Sequence, residues 1–122
     1  MTEKRITLGK KGEEFAAHLL TRKGYKIKER NYKSALGEID IIALSGATIV
    51  FIEVKTRSSL KFGQPFEAVT KKKQHQISKT ALYYMSIKKI NESAARFDVV
   101  SVISTGEKME AQLIENAFEA AF

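Results

Sequence analysis

The sequence predicts an α/β fold, a mixed β-sheet flanked by helices, in a single domain of 122 residues. Three observations carry the prediction. Residues 37–57, GEIDIIALSGATIVFIEVKTR, hold two runs rich in β-branched side chains around Ser45-Gly46-Ala47-Thr48, which reads as a tight hairpin. An apolar stripe at helical spacing precedes this hairpin and a longer one follows it. A further strand run, RFDVVSVIS, comes after the second helix, and a strand reached through a helical crossover pairs parallel within its sheet.

In chain order, residues 8–23 form the first helix, with Phe15, Ala16, Leu19 and Leu20 on its apolar stripe and Gly24 as its stop. Residues 25–32, YKIKERNY, alternate imperfectly and read as a strand whose lysines are solvated. Residues 33–37 connect it to the hairpin, whose strands cover 38–44 and 48–54. The second hairpin strand is apolar on both faces, which places it centrally in the sheet. Residues 58–66, SSLKFGQPF, hold the only proline and form a loop, either a plain connector or a grip on a substrate. The longest helix begins at Val69 or Thr70 and reaches about Lys88. It carries Ile77, Ala81, Tyr84 and Met85 on one side, Leu82 near the edge, and Lys72, Lys73, Gln76 and Lys79 on polar faces. After the strand at 96–104, Thr105-Gly106-Glu107-Lys108 turns into a weaker strand at 109–114, and the tail NAFEAAF reads as a short helical or frayed end.

Composition narrows the function. No apolar run approaches the roughly 20 residues that span a bilayer, and the first residues, MTEKRITLGKK, lack the apolar region of a signal peptide. Without cysteine there are neither disulfides nor thiolate metal sites, and the cytoplasm is the default compartment. A net charge of +7 favours a polyanionic partner, although a lysine-rich surface also serves solubility. The basic residues cluster: Lys71, Lys72 and Lys73 open the second helix with Lys79 further along it, Lys10 and Lys11 lie near the start of the first, and Arg57 follows the hairpin. These are the candidate nucleic-acid contacts; a solvated helix face is the other reading.

The hairpin holds the chemistry. Side chains alternate across a strand, so Phe51, Glu53 and Lys55 share one face and Val50, Ile52 and Val54 the other. With Gly46 and Ala47 as the loop pair, Ser45 opposes Thr48, Asp40 opposes Glu53 and Glu38 opposes Lys55. A buried carboxylate costs several kcal/mol unless compensated, whereas an exposed ion pair returns only ~0–1 kcal/mol, so stability gives little reason for Glu53. Two adjacent carboxylates need a proton or a cation between them. Oxygen ligands without cysteine or clustered histidine suit Mg²⁺ or Mn²⁺, and a neighbouring ammonium can orient water or offset charge on a phosphoryl oxygen. Metal-assisted phosphodiester hydrolysis is the chemistry this set fits. His18 and His75 have no metal spacing and read as surface or packing residues, Asp98 beside Arg96 reads as a structural ion pair or strand-end cap, and no serine or cysteine triad is visible.

Asp40 followed on the next strand by Glu53-Val54-Lys55 resembles the D…(D/E)-x-K signature of the restriction-endonuclease-like (PD-(D/E)XK) nuclease superfamily. The order GEIDIIA, VFIEVKTR, RFDVVSV closely resembles the YraN family of small bacterial proteins, and archaeal Holliday-junction resolvases are similar more distantly. The resemblance covers nearly the whole chain. Ile39 stands where the superfamily carries its proline, and neither Gln74 nor Gln76 has the tyrosine four residues on that some of these nucleases carry. The resemblance implies a metal site for Mg²⁺ or Mn²⁺ at Asp40 and Glu53, a catalytic lysine at Lys55, a DNA substrate that includes branched DNA, and a homodimer. It also implies an acid from the first helix, at Glu13 rather than Glu14; on residues alone both read as acids favoured by the helix dipole. A nuclease is therefore the leading expectation. Its alternatives are a non-catalytic nucleic-acid-binding module and an interaction protein with a structural Glu53–Lys55 ion pair.

Overall fold

The computed structural model describes residues 3–59, 63–90, 93–106 and 108–122. Helix α1 (Glu3–Arg22) is followed by strands β1 (Lys26–Ser34), β2 (Gly37–Ser45) and β3 (Thr48–Arg57), a short 3₁₀ turn at Pro65–Ala68, helix α2 (Lys71–Ile87), and strands β4 (Ala95–Thr105) and β5 (Lys108–Phe118). The five strands lie in sequence order across one sheet, antiparallel at β1–β2, β2–β3 and β4–β5 and parallel at β3–β4. The parallel pair is joined through α2, as a helical crossover requires.

Central position explains the composition of β3, whose residues from Ile49 to Val54 are all buried. One layer packs Val50, Ile52 and Val54 against Ala16, Ala17 and Leu20 of α1; the opposite layer packs Phe51, Phe97 and Val99 against Ile77, Ala81, Tyr84 and Met85 of α2. Each of these large side chains contributes about 1.5–3 kcal/mol on burial. The helix ends are equally local in origin. Gly24 takes φ of 93°, so its N–H reaches the Thr21 carbonyl and the Tyr25 N–H reaches that of Leu20 at 3.0 Å, closing α1. At the start of α2 the Thr70 hydroxyl accepts from the Lys73 N–H at 3.2 Å.

Strand β2 breaks its alternation at one place. Ile39 packs on the α2 side and Ile41 on the α1 side, although residues two apart on a regular strand share a face. The break falls at Asp40. Opposite it, between the Arg30↔Ile41 and Tyr32↔Ile39 pairs, Asn31 adopts a left-handed φ of 52°, which asparagine tolerates better than most residues.

Several expectations are corrected. The first helix begins earlier, at Glu3, and the connection expected at 33–37 shrinks to Ala35 and Leu36 because β1 and β2 pair as far as Ser34↔Gly37. The tail is neither helical nor frayed. Strand β5 continues to Phe118 through an irregularity at Asn116, where φ is 51°, and Phe118 stacks on Phe97 with ring centroids 4.9 Å apart. Beyond it the Ala121 N–H donates to Ser78 Oγ at 2.8 Å and the Ala121 carbonyl meets His75 Nδ1 at 2.6 Å, which ties the end of the chain to α2. Positions 60–62 of the expected loop and Glu107 of the expected turn lie outside the described residues. Among the described residues no helix is long and apolar enough to cross a membrane.

One close approach sets the docking of α1. A Cβ on Gly12 would overlap the Thr56 hydroxyl and lie 3.0 Å from Thr56 Cβ, so the helix rests on the end of β3 only because residue 12 has no side chain. Gly12→Ala is expected to destabilise the protein by about 1–3 kcal/mol through overpacking, despite the better helix propensity of alanine. Urea denaturation checks this, and adding Thr56→Ala to the same chain is expected to restore part of the loss.

Candidate active site

Four elements converge at the end of β3. Glu13 comes from α1, one residue after the Gly12 contact; Asp40 from the break in β2; Glu53 and Lys55 from β3; and Lys73 from the first turn of α2. The hairpin register is the expected one, from Ser45↔Thr48 to Ile41↔Ile52. At the next position the Asp40 side chain enters the ladder itself, its Oδ2 accepting the Val54 N–H at 2.8 Å. That bond holds one carboxylate oxygen and fixes its plane.

Glu53 is only 5% exposed, and its Oε2 is buried without a hydrogen-bond partner among the described residues. Lys73 Nζ stands 3.4 Å from that oxygen, an ion pair without hydrogen-bond geometry. Burial, then the adjoining Asp40 carboxyl, push the Glu53 carboxyl up to about 8, while Lys73 and Lys55 pull in the opposite direction. Glu13 is also raised from the ordinary carboxylate range, first by burial and then by Asp40, against the pull of Arg30. Asp40 thus sits between two acids that both feel it, and the structure brings Glu13, Asp40 and Glu53 together. Glu14, by contrast, pairs with Arg30 at 2.8 Å.

Among the described residues no three His, Cys, Asp or Glu side chains are drawn close enough to cage an ion as they stand. A Mg²⁺ site does not need such a cage, because the ion keeps several waters and takes one or two carboxylates. Asp40 and Glu53, all-oxygen donors with one buried oxygen left unsatisfied, fit that requirement.

The expected lysine contacts divide. Lys10, Lys11, Arg57, Lys71, Lys72 and Lys79 are exposed, whereas Lys73 is half-buried and engaged with Glu53. The counter-ion of Glu53 is therefore Lys73, not Lys55. Glu38 likewise does not meet Lys55 but lies 3.9 Å from Lys33 at the exposed end of β2. Sequence reasoning overlooked Gly12, whose missing side chain admits α1, and the polar edge of β1. Arg30, Asn31 and Lys33 from that edge line a cleft of about 570 Å³ with Lys10, Glu13 and Glu14. Only the left-handed asparagine within a strand would have drawn notice there. His18 is exposed, and Asp98 is fully buried in a network with Tyr25 and Arg96, as a structural role predicts.

A mixed sheet with an acid-bearing antiparallel hairpin beside a parallel crossover, flanked by two helices, is a restriction-endonuclease-like arrangement. The chain belongs to UPF0102, described as an uncharacterised protein family, whose family model matches residues 12–102. The resemblance to the YraN family read from the sequence is thereby borne out. A UPF0102 protein of Geobacter metallireducens is 49% identical over 116 residues, 95% of each chain. One from Syntrophus aciditrophicus is 49% identical over 117 residues, covering 96% of this chain and 92% of its own. Another, from Caldicellulosiruptor saccharolyticus, is 49% identical over 113 residues, covering 91% and 96%.

The raised Glu53 carboxyl makes a stability prediction with a definite sign. Between the ordinary value of 4.5 and about 8 the folded chain holds a proton that the unfolded chain has released, so this group's effect on stability worsens as pH rises through that window. Glu53→Gln keeps the shape and removes the titration. The variant is expected to melt higher than wild type at pH 9 by a margin that shrinks toward pH 4.5, as thermal denaturation across that range would register.

Proposed function

We propose that this protein is a Mg²⁺- or Mn²⁺-dependent nuclease that hydrolyses phosphodiester bonds of DNA, branched DNA included, and works in the cytoplasm as a homodimer. The observation that carries the reading is the buried, unsatisfied carboxylate oxygen of Glu53 beside Asp40, an arrangement that detracts from stability and suits a cation. Asp40 and Glu53 would hold the metal, with the Val54 carbonyl and Glu13 assisting. When bound, the ion would supply Lewis-acid polarisation of the phosphoryl group and a bound water more acidic than bulk water.

The chain's own groups do the rest. The Val54 N–H aims the Asp40 carboxylate by holding its Oδ2 at 2.8 Å. Lys55, two residues after Glu53 on the same face, orients the attacking water and offsets charge gathering on the phosphoryl oxygens. Lys10, Lys11, Arg57, Lys71, Lys72 and Lys79 contact the phosphate backbone from exposed positions, a contact that positions DNA without reading its sequence.

A second reading, a nucleic-acid-binding module that does not cleave, is favoured by one observation: the Lys73 ammonium already compensates Glu53 at 3.4 Å. One experiment separates the two. Wild type, Asp40→Ala and Lys55→Met are incubated with Mg²⁺ or Mn²⁺ on labelled four-way junctions, flaps, duplex DNA, single strands and RNA. The nuclease reading expects cleavage by wild type and a loss of at least about 100-fold in each variant, the usual scale for a positioned catalytic group. Salt-sensitive binding without cleavage in either metal would favour the binding module.

A further inference from the structure

We propose that Lys73 is a tethered counter-ion that holds the cation position on Glu53 until a divalent ion displaces it, after which its ammonium turns outward to a substrate phosphate. This rests on the metal-dependent reading above. Three observations point to it. The contact between Lys73 Nζ and Glu53 Oε2, at 3.4 Å, satisfies charge but makes no hydrogen bond, so it compensates the buried oxygen without locking it. The two ends of the pair also differ in freedom, since the Lys73 side chain is 30% exposed and that of Glu53 only 5%. Its backbone is fixed by the Thr70 cap at 3.2 Å, so exchange needs only rotation of a flexible four-carbon stem.

The third observation is electrostatic. The first turn of α2 holds Lys71, Lys72 and Lys73 and no acidic residue, although the positive end of a helix dipole disfavours cations. Glu53 is the anion that the structure sets against this accumulation. Once a divalent ion claims Glu53, the helix dipole and two neighbouring ammonium groups drive Lys73 toward another anion, and a phosphodiester entering the site is the anion the site's chemistry supplies. Lys73 would thus couple metal occupancy to the grip on substrate, in a role distinct from that of Lys55.

The test measures Mn²⁺ binding directly, from the electron paramagnetic resonance signal of free Mn²⁺ at pH 8.5 without nucleic acid. Lys73→Met is expected to bind Mn²⁺ about tenfold more tightly than wild type, the factor equivalent to removing ~1.4 kcal/mol of competition. Lys73→Arg, which keeps the charge, should stay near the wild-type affinity. Equal or weaker binding by Lys73→Met overturns the role given to Lys73 and leaves the metal site standing. No Mn²⁺ binding by either protein overturns the metal site and this proposal together. A measurement on wild type alone guards against a variant that fails to fold: mass spectrometry after brief acylation, with Lys79 on the same helix as the internal reference. Saturating Mn²⁺ is expected to raise labelling of Lys73 several-fold relative to Lys79, and an unchanged ratio overturns the displacement.

Discussion

The burial of Glu53 in the central strand is the constraint around which the rest is arranged. Strand β3 has a helix over each face and a paired strand on each side, so a carboxylate there loses its water and must be compensated by protein. Compensation comes chiefly from Lys73 on one helix, with a smaller pull from Lys55 on the same strand, and the Asp40 carboxyl of the neighbouring strand works against it. None of these partners completes the job, because one oxygen still lacks a hydrogen bond. The fold spends stability at this point and recovers it in the two apolar layers on either side.

The placement of Glu13 shows how backbone detail serves that site. Helix α1 reaches the end of β3 because Gly12 lets it sit against Thr56, and the next residue then overlooks Asp40. Asp40 in turn is released from regular pleating where Ile39 and Ile41 go to opposite layers, with the left-handed Asn31 across from it. A regular strand would have left the Val54 N–H to a backbone carbonyl instead of the Asp40 carboxylate. The irregularity re-aims the Asp40 side chain, as a break in a strand's pleat commonly does.

Much of this was legible in the sequence, and the reason differs by element. The hairpin register followed from a two-residue turn and a period of two, which together leave little freedom, and the parallel β3–β4 pair followed from the length of the crossover. The pairing of Lys73 with Glu53 was not legible because helical periodicity reports which face is polar, not where along the sheet the helix lies; only packing reveals that its first turn stands over Glu53. The course of β5 was hidden because its alternation is interrupted at Asn116, and the residues after the break resemble a helix former's composition. Gly12 carried no signal at all, since a glycine inside a helical pattern looks like a weakness until the opposing surface is known.

Asp98 shows why burial alone would have misled. It lies on β4 in register with Ile52, next to Glu53, and is the more deeply buried of the two acids. Yet its oxygens are fully engaged. Oδ2 accepts from the Tyr25 hydroxyl at 2.9 Å, and Oδ1 accepts from Arg96 Nε at 3.0 Å and from the Asn116 N–H at 2.9 Å. Tyr25 is held as a neutral phenol, pushed up to about 12 by burial and by Asp98, and it accepts from the Arg96 guanidinium at 2.6 Å. A network satisfied in this way pins the irregularity of β5 and the corner after α1, and leaves no valence for a ligand. Glu53, one position along the neighbouring strand, has a loosely held lysine, a carboxyl neighbour and an unclaimed oxygen. Two acids with nearly equal burial are thus separated by their partners: every oxygen of Asp98 is engaged, whereas Glu53 Oε2 accepts no hydrogen bond among the described residues.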